Sequence, residues 1–168
     1  MNTFLPYADF IKSAQCLDYR RLGKQRVEAW QIYQTLQKGQ YKSCQCGCNE
    51  VFNGHCVGCY SKVKKTAWYN HPIVKMWKGY ELALLDYGMT ICEEWIKRGY
   101  TDNLWKKFHQ EFLEWNGKNL RIFYPKWFGN RKFHSSMRSN LLRKDKKYYS
   151  QFNWKEKDNL SYYWIKEK

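Results

Sequence analysis

The sequence contains few acidic residues, little proline and no long apolar run. Fifteen of its 168 residues are Asp or Glu, against 30 Lys and Arg, and only three are Pro. Because no stretch of 18 apolar residues occurs, the sequence predicts no membrane span. The first residues lack the basic start and long apolar stretch of a signal peptide, which predicts a reducing, intracellular location in which cysteines stay free.

The positive charge and the aromatic content narrow the class of protein. The formal net charge is +15, and 19% of the residues are aromatic, which is too much core-forming material for a disordered basic tail. The length matches one domain, residues 1–168. Self-repulsion of this size is usually offset by a polyanionic partner, and nucleic acid is the default. Residues 117–168 carry fourteen basic and four acidic residues, whereas residues 71–116 carry six and seven. We therefore expect the middle to build the core and the basic ends to contact the polyanion.

Apolar residues recur at helical spacing in four parts of the chain. The pattern predicts helices over residues 18–37, from Pro72 to about residue 97, from about residue 101 to residue 115, and over residues 136–149. Strand patterns are weak throughout. The predicted fold class is mainly α, a compact single-domain helical bundle with long connections.

Residues 41–66 form a cysteine-rich segment between the first two predicted helices, with small glycine-containing turns. Five cysteines fall within sixteen residues: Cys44, Cys46, Cys48, Cys56 and Cys59. Two close pairs across a short loop can place four thiolates at the corners of a tetrahedron, which suits zinc. The C-x-C pair that begins at Cys44 and the C-x-x-C pair that begins at Cys56 are favoured, with Cys48 as the spare. A zinc-ribbon-like insertion with a structural Zn²⁺ is predicted, and the alternatives are a reduced, metal-free loop or, less in keeping with a reducing compartment, a disulfide.

Two further stretches have a high density of charged residues. In residues 17–28, four cations and two carboxylates share about three helical turns. Residues 133–145 look like the start of a helix, where amides and cations suit a phosphate. A charged helix face is often only solvated, so the spacing alone leaves both interpretations open.

These stretches also carry a resemblance to a known family. The sequence resembles bacterial and viral members of the pyrimidine-dimer DNA glycosylases, the endonuclease V-like family, in residues 1–7, 17–28, 70–80, 98–99 and 134–145. The cysteine-rich segment looks like an insertion into that pattern. The resemblance implies a compact helical enzyme that breaks the glycosidic bond of a damaged pyrimidine and then cuts the backbone by β-elimination. It implies double-stranded DNA with lesions as the partner, a monomer, and a place with the genome inside the cell, a viral or phage genome being one option.

The resemblance also implies which residue types carry out the reaction. Such an enzyme needs an amine that forms a Schiff base with the sugar, and the chain's own terminus, Met1 or Asn2, is the first candidate, with Lys24 in reserve. It also needs a carboxylate, for which Glu28 is the first choice and Asp18 the alternative. No cofactor is needed for this catalysis. The predicted DNA-binding residues are Arg20, Arg21, Lys24, Arg26, His71, His134, Arg138, Arg143 and Lys144.

Two other functions fit the same sequence. One is a non-catalytic zinc-ribbon protein that binds nucleic acid. The other is an enzyme for a different modified base, either a glycosylase or a nuclease that uses His134 and a divalent cation.

Overall fold

The structure, a computed structural model, describes residues 2–48, 50–116 and 121–165. These residues contain seven α-helices: α1 (Phe10–Cys16), α2 (Tyr19–Lys38), α3 (Pro72–Trp77), α4 (Glu81–Lys97), α5 (Trp105–Asn116), α6 (Arg131–Lys144) and α7 (Lys146–Tyr149). Their strands are β1 (Val51–Phe52) and β2 (His55–Cys56), which pair antiparallel. The predicted mainly α fold is confirmed. None of these helices combines the length and the apolar character needed to cross a bilayer.

Helix α4 lies at the centre of the fold and packs against α1, α2 and α5. Gly88 allows α4 to approach α5 closely, since a Cβ at this position would lie only 2.3 Å from the ring of Phe108. Large aromatic side chains fill the space around it, among them the fully buried Trp77, Tyr33 and Tyr87. This core supports the segments that build the candidate site.

The first predicted helix is confirmed as α2. The side chain of Asp18 accepts hydrogen bonds from the amides of Arg20 and Arg21, which satisfies the first turn. Gly39 ends the helix with a φ of 65°, a conformation that glycine adopts without steric cost.

The long helix predicted from Pro72 to about residue 97 is wrong as one element, because the chain turns between α3 and α4. Gly79 lies at the break with a φ of 82°. Its amide donates to the side chain of Glu81, 3.0 Å away, at the first turn of α4. The apolar spacing continues across the turn, since both helices face the same core, and this continuity conceals the break in the sequence.

Other boundaries also differ from those predicted: the third helix begins at Trp105, not near residue 101, and the last one differs at both ends. Helix α6 begins five residues before the predicted start, because Asn130 caps it by accepting from the amide of Phe133. It ends at Lys144, where Asp145 caps the separate helix α7. The seven-residue helix α1 was not predicted, since it is too short to show a clear apolar period.

The cysteine-rich segment, residues 41–66, leaves the bundle after α2 and returns before α3; we call it the ribbon. Its base is closed by the amide of Lys42, which donates to the carbonyl of Lys64 at 3.0 Å. Just below, the amide of Thr66 donates to the carbonyl of Gln40 at 2.9 Å. Both ends of the ribbon therefore meet at the end of α2.

Candidate active site and metal centre

Gln25 and Glu28 are polar side chains on the buried face of α2, and they contact the backbone of Phe4 and Asn2. Glu28 is 7% exposed, and its Oε2 lies 3.3 Å from the backbone nitrogen of Asn2. Gln25 is fully buried and donates to the same carboxylate oxygen at 3.1 Å. Gln25 also accepts from the amide of Phe4 and from the hydroxyl of Tyr87, each at 2.8 Å. One glutamine thus holds the carboxylate and the first residues in a fixed relation. Met1 lies outside the described residues.

Residues 2–6, which we call the N-terminal segment, are buried, and each residue is held by a side chain from elsewhere in the fold. The hydroxyl of Thr3 accepts from the indole of Trp77 at 3.1 Å. The carbonyl of Leu5 accepts from Nδ1 of His134 at 2.7 Å, and the carbonyl of Pro6 accepts from Arg138 at 2.6 Å. This anchoring fixes the N-terminal segment within the fold, with the backbone nitrogen of Asn2 beside Glu28.

His134 is an internal residue, only 4% exposed. Its Nδ1 donates to Leu5, while its Nε2 accepts from the amide of Gly129 at 3.0 Å. One donated and one accepted bond match the neutral ring, and burial lowers the pKa of His134 below its usual value. Both ring nitrogens are therefore used within the protein, which gives no support to a nuclease that binds a cation through His134.

Several predicted DNA-binding cations also have internal partners. Arg26 pairs with Asp102, whose side chain is fully buried, and its guanidinium lies 4.5 Å from the centroid of the Trp95 ring. Arg138 pairs with Glu156 at 2.6 Å, in addition to its bond with the N-terminal segment. These arginines join elements of the fold.

Asp18, the alternative carboxylate, is engaged as the cap of α2. Beyond the amides it accepts, it lies 2.5 Å from the hydroxyl of Tyr149 and 3.3 Å from Nη1 of Arg21. Arg21 also donates to the carbonyl of Lys144 at 3.1 Å. This network joins the start of α2 to the end of α6.

Other predicted cations lie at the surface around Glu28. Lys24 has a side chain that is 70% exposed, and its Nζ lies 3.6 Å from the carboxylate of Glu28. Arg143 and Lys144 are exposed at the end of α6, and Lys144 reaches to 5.9 Å from the ring of Phe4. Partial burial, followed by the charges of neighbouring cations, lowers the pKa of Lys144. Arg20 is exposed on the first turn of α2.

A group of aromatic side chains from the C-terminal region also reaches the site. Residues 157–165 run back along α6, where the amide of Tyr163 donates to the hydroxyl of Ser136 at 3.1 Å. Tyr162 stacks on Trp164 with ring centroids 5.3 Å apart, and Trp164 meets His71 edge-on at 5.9 Å. Burial raises the pKa of the Tyr162 hydroxyl, and the nearby Asn2 side chain opposes that rise.

Sequence reasoning missed Gln25 and Tyr162 as parts of this site. The aromatic density of the C-terminal region was visible in the sequence, but the return along α6 was not, because its bonds involve small polar residues without a pattern. Gln25 lies three residues before Glu28, a spacing that places both on one helix face. That spacing was the available signal.

The ribbon brings four of its five cysteines together, and they are the predicted set. The sulfur atoms of Cys44, Cys46, Cys56 and Cys59 all lie within 4.8 Å of one another. Sγ of Cys48 lies outside this group, 3.8 Å from the carbonyl of Glu50. The choice of Cys48 as the spare matches this geometry.

The sulfur positions fit a tetrahedral metal ion. Four sulfurs at about 2.3 Å from zinc lie roughly 3.8 Å apart, and the closest pairs here, Cys44 with Cys59 and Cys46 with Cys56, are 3.4 Å apart. The hydroxyl of Ser61 lies 3.0 Å from the sulfur of Cys59 and 3.4 Å from that of Cys44. Its hydrogen bond lowers the pKa of Cys44 to about 6, whereas the pKa values of Cys46 and Cys56 are raised, so only part of the group favours the thiolate form that binds metal.

Comparison with known proteins adds a family to this geometry. The family model described as pyrimidine dimer DNA glycosylase matches residues 1–108, which is more than half of the chain. The protein belongs to this family. The match includes the N-terminal segment, α2 with Glu28, and α4, whereas α6 and the C-terminal residues lie beyond it. Comparisons with curated proteins and with solved structures found no match.

Proposed function

We propose that the protein is a DNA glycosylase and apurinic-site lyase that removes damaged pyrimidines, those of pyrimidine dimers, from double-stranded DNA. It acts as a monomer on DNA inside the cell. The observation that carries the proposal is the 3.3 Å contact between the buried carboxylate of Glu28 and the backbone nitrogen of Asn2, the residue that follows Met1. Family membership supports the substrate class.

The reaction requires an amine with a free electron pair near neutral pH. An α-amino group has a pKa of about 7.7–8.0, so a useful fraction is unprotonated. We assign this role to the amine that begins the chain, on Met1 or, if Met1 is removed, on Asn2. Lys24, whose Nζ is also beside Glu28, is the alternative amine.

In the first stage the amine attacks C1′ of the damaged nucleotide. A nitrogen–carbon bond forms, the glycosidic bond breaks, and the pyrimidine leaves with the bonding electrons and takes up a proton. The sugar ring then opens to a protonated Schiff base. In this scheme Glu28 transfers protons and stabilises the developing positive charge, for which a held carboxylate is suited.

In the second stage the Schiff base makes the C2′ proton acidic. A base removes that proton, the C3′–oxygen bond breaks, and the 3′ phosphate departs, which cuts the strand. Water then hydrolyses the Schiff base and restores the amine. We propose that Glu28 receives the C2′ proton, because its carboxylate contacts the backbone of Asn2, next to the residue that carries the proposed amine.

The exposed cations around Glu28 hold the phosphates in this proposal. Arg20, Lys24, Arg143 and Lys144 are at the surface, and His71 lies beside Trp164 at the edge of the site. Arg21, Arg26, His134 and Arg138 support the DNA site indirectly by fixing the elements that carry it. Extrusion of a base costs a few kcal/mol and least at a damaged site, which offers one source of selectivity.

The four-cysteine group holds a structural Zn²⁺ in this proposal. All four ligands come from the protein, so no open position remains for substrate. The chemistry of the glycosylase does not need the metal.

Borohydride trapping tests the proposed chemistry. The protein is incubated with a duplex that carries a thymine dimer, or an abasic site, and the Schiff base is reduced to a stable adduct. We expect an adduct whose peptide map places the sugar on the first residue of the chain. An adduct at Lys24 would move the amine to that side chain, and no adduct on either duplex would refute the lyase.

A further inference from the structure

The face of α2 that carries Lys24 leads to a groove at the base of the ribbon. Lys24, Gln31 and Lys38 are exposed and seven residues apart, so they lie on one helix face. They span about 21 Å, which is the length of roughly six nucleotide steps of one DNA strand. Where this face meets the base of the ribbon, a groove of about 300 Å³ is lined by Gln31, Gln34, Lys38, Lys42 and Trp68.

Lysines without ion-pair partners continue this groove onto the ribbon. A second concavity of about 370 Å³ is lined by Lys42, Lys62 and Lys64, and Lys42 borders both spaces. These three lysines and Lys38 are exposed, and none pairs with a carboxylate among the described residues. The ribbon contains four lysines and one acidic residue, Glu50. We call the two joined concavities, with Lys38, Lys42, Lys62 and Lys64, the basic track.

Trp68 lies at the junction between this track and the active site. Its side chain is 59% exposed, and its φ of 67° is an outlier conformation for a bulky residue. Its ring meets His71 edge-on at 5.7 Å, and His71 meets Trp164 at 5.9 Å. A row of aromatic rings therefore leads from the groove to Tyr162 beside Asn2.

We propose that this track binds the DNA strand that flanks the lesion, with its phosphates on Lys38, Lys42, Lys62 and Lys64. Trp68 stacks on a base exposed by the distortion next to the lesion. The proposal rests on the proposed function for the identity of the DNA substrate. It assigns the ribbon a role in gripping DNA outside the reactive centre.

The chemistry of the track favours DNA over a protein partner. Amines that neutralise phosphates and exposed rings that stack on bases are the features by which proteins hold a nucleic-acid strand. Lys24, beside the carboxylate of Glu28, lies on the same face of α2 as Lys38, so a strand bound along that face would extend from the track to Glu28.

The salt dependence of binding tests the lysines. Each phosphate contact contributes about 0.9 to the slope of log K against log salt. We compare the zinc-loaded wild type with the triple variant Lys42→Gln, Lys62→Gln, Lys64→Gln, on damaged and undamaged duplexes that extend a full turn beyond the lesion site. The matched control, Lys97→Gln, Lys106→Gln, Lys107→Gln, removes the same charge from exposed positions on α4 and α5.

We expect the track variant to lower the slope by about 2 to 3 and the control to lower it by less than about 1. Equal slopes for the two variants would overturn the proposal. Metal content and circular dichroism show that the variants are folded. If the triple variant loses its metal, the Trp68 comparison decides, because Trp68 lies outside the ribbon.

The second arm compares Trp68→Ala with Phe123→Ala, which removes another well-exposed ring, 69% exposed. Loss of stacking on one base should lower the affinity of Trp68→Ala for the lesion duplex about tenfold. The variant Trp68→Phe should largely retain the affinity. A loss no greater than that of Phe123→Ala would overturn the role of Trp68.

These outcomes are separate from those of the proposed function. If the wild type forms no trapped adduct but the track variant still changes the slope on undamaged duplex, the DNA track stands and the lyase fails. If adduct forms and the slope does not change, the lyase stands and the track fails.

Discussion

The proposed reactive centre and the ribbon both depend on chain segments with little regular structure, yet they are held in opposite ways. The N-terminal segment is buried and anchored by side chains of α2, α3 and α6. The ribbon is mostly exposed, and its strands are two residues each. Within the ribbon, the four grouped cysteines bring their sulfur atoms close together.

The two regions are ordered by different interactions. The N-terminal segment is held by buried side chains of several helices, so its position depends on global folding. The ribbon has few buried apolar groups, as expected of a unit that needs a metal to fold. Changes that break one region should therefore leave the other largely intact.

The largest expected effect is the loss of chemistry in Glu28→Gln. The amide keeps the shape of the side chain but cannot transfer protons, and acid–base groups typically contribute 10²–10⁴-fold. We expect single-turnover strand cleavage to fall by about 10³-fold, while affinity for the lesion duplex stays within about threefold.

Asp18→Asn is the matched control for Glu28→Gln. Asn is as good a helix cap as Asp, so cleavage should stay within about threefold of the wild type. Normal cleavage in Glu28→Gln together with loss in Asp18→Asn would move the catalytic role to Asp18.

Removal of one metal ligand should break the ribbon alone. Cys46→Ser takes away one of the four grouped thiols, whereas Cys48→Ser changes a cysteine outside that group. We expect Cys48→Ser to retain about one equivalent of zinc by metal analysis and Cys46→Ser to retain less than half. Single-turnover cleavage at saturating protein should persist in both variants.

A contrary result would come from either half of that experiment. Loss of zinc in Cys48→Ser would change the ligand set. Loss of cleavage in folded Cys46→Ser would show that the reactive centre depends on the ribbon.

Arg26 and Arg20 separate internal from DNA-facing cations. Arg26→Met leaves the buried carboxylate of Asp102 without its cation, which typically costs about 3–5 kcal/mol. Arg20→Met should leave the free energy of unfolding nearly unchanged, because Arg20 is exposed. Denaturant melts measure both, and duplex binding should weaken more in Arg20→Met. Equal stability of the two variants would contradict the internal role of Arg26.

The smallest expected effect is a pH dependence from His134. Its pKa in the folded protein lies below the unfolded value of about 6.5, so the unfolded chain binds the proton first as pH falls. The stability contributed by neutral His134 is complete above about pH 6.5 and is lost as pH falls through the lowered pKa. His134→Gln should show a shallower fall in unfolding free energy between pH 7 and 5. An unchanged slope would contradict the assignment.

Much of the helical framework could be predicted from the sequence, and so could the cysteine set. Helix α2 has both a cap and a stop signal in the sequence, and the C-x-C and C-x-x-C spacings limit how four thiols can meet. The turn at Gly79 could not be predicted, because the apolar spacing of the two flanking helices continues across it. Helix α1 is too short for a period to appear.

Among the candidate site residues, the sequence identified charges but not their partners. Arg26, Arg138 and Arg20 cannot be told apart by residue type. Arg26 and Arg138 bind carboxylates or carbonyls within the fold, whereas Arg20 is exposed to solvent. Tertiary contacts decide this, and they join residues more than 70 positions apart, as with Arg26 and Asp102. Glu28 was selected for its place on the first long helix, and its contact with Asn2 depends on how the start of the chain is folded back.

We propose that the amine that begins the chain is the nucleophile, and that the contact of the Asn2 backbone nitrogen with Glu28 brings it to the site. A variant with two residues, Gly-Ser, added before Met1 tests this through the single-turnover rate of strand cleavage. In the proposal the added residues displace the α-amine, whereas Lys24 is unchanged. The account predicts that cleavage falls by at least about 100-fold with duplex binding retained, and an unchanged rate would contradict it.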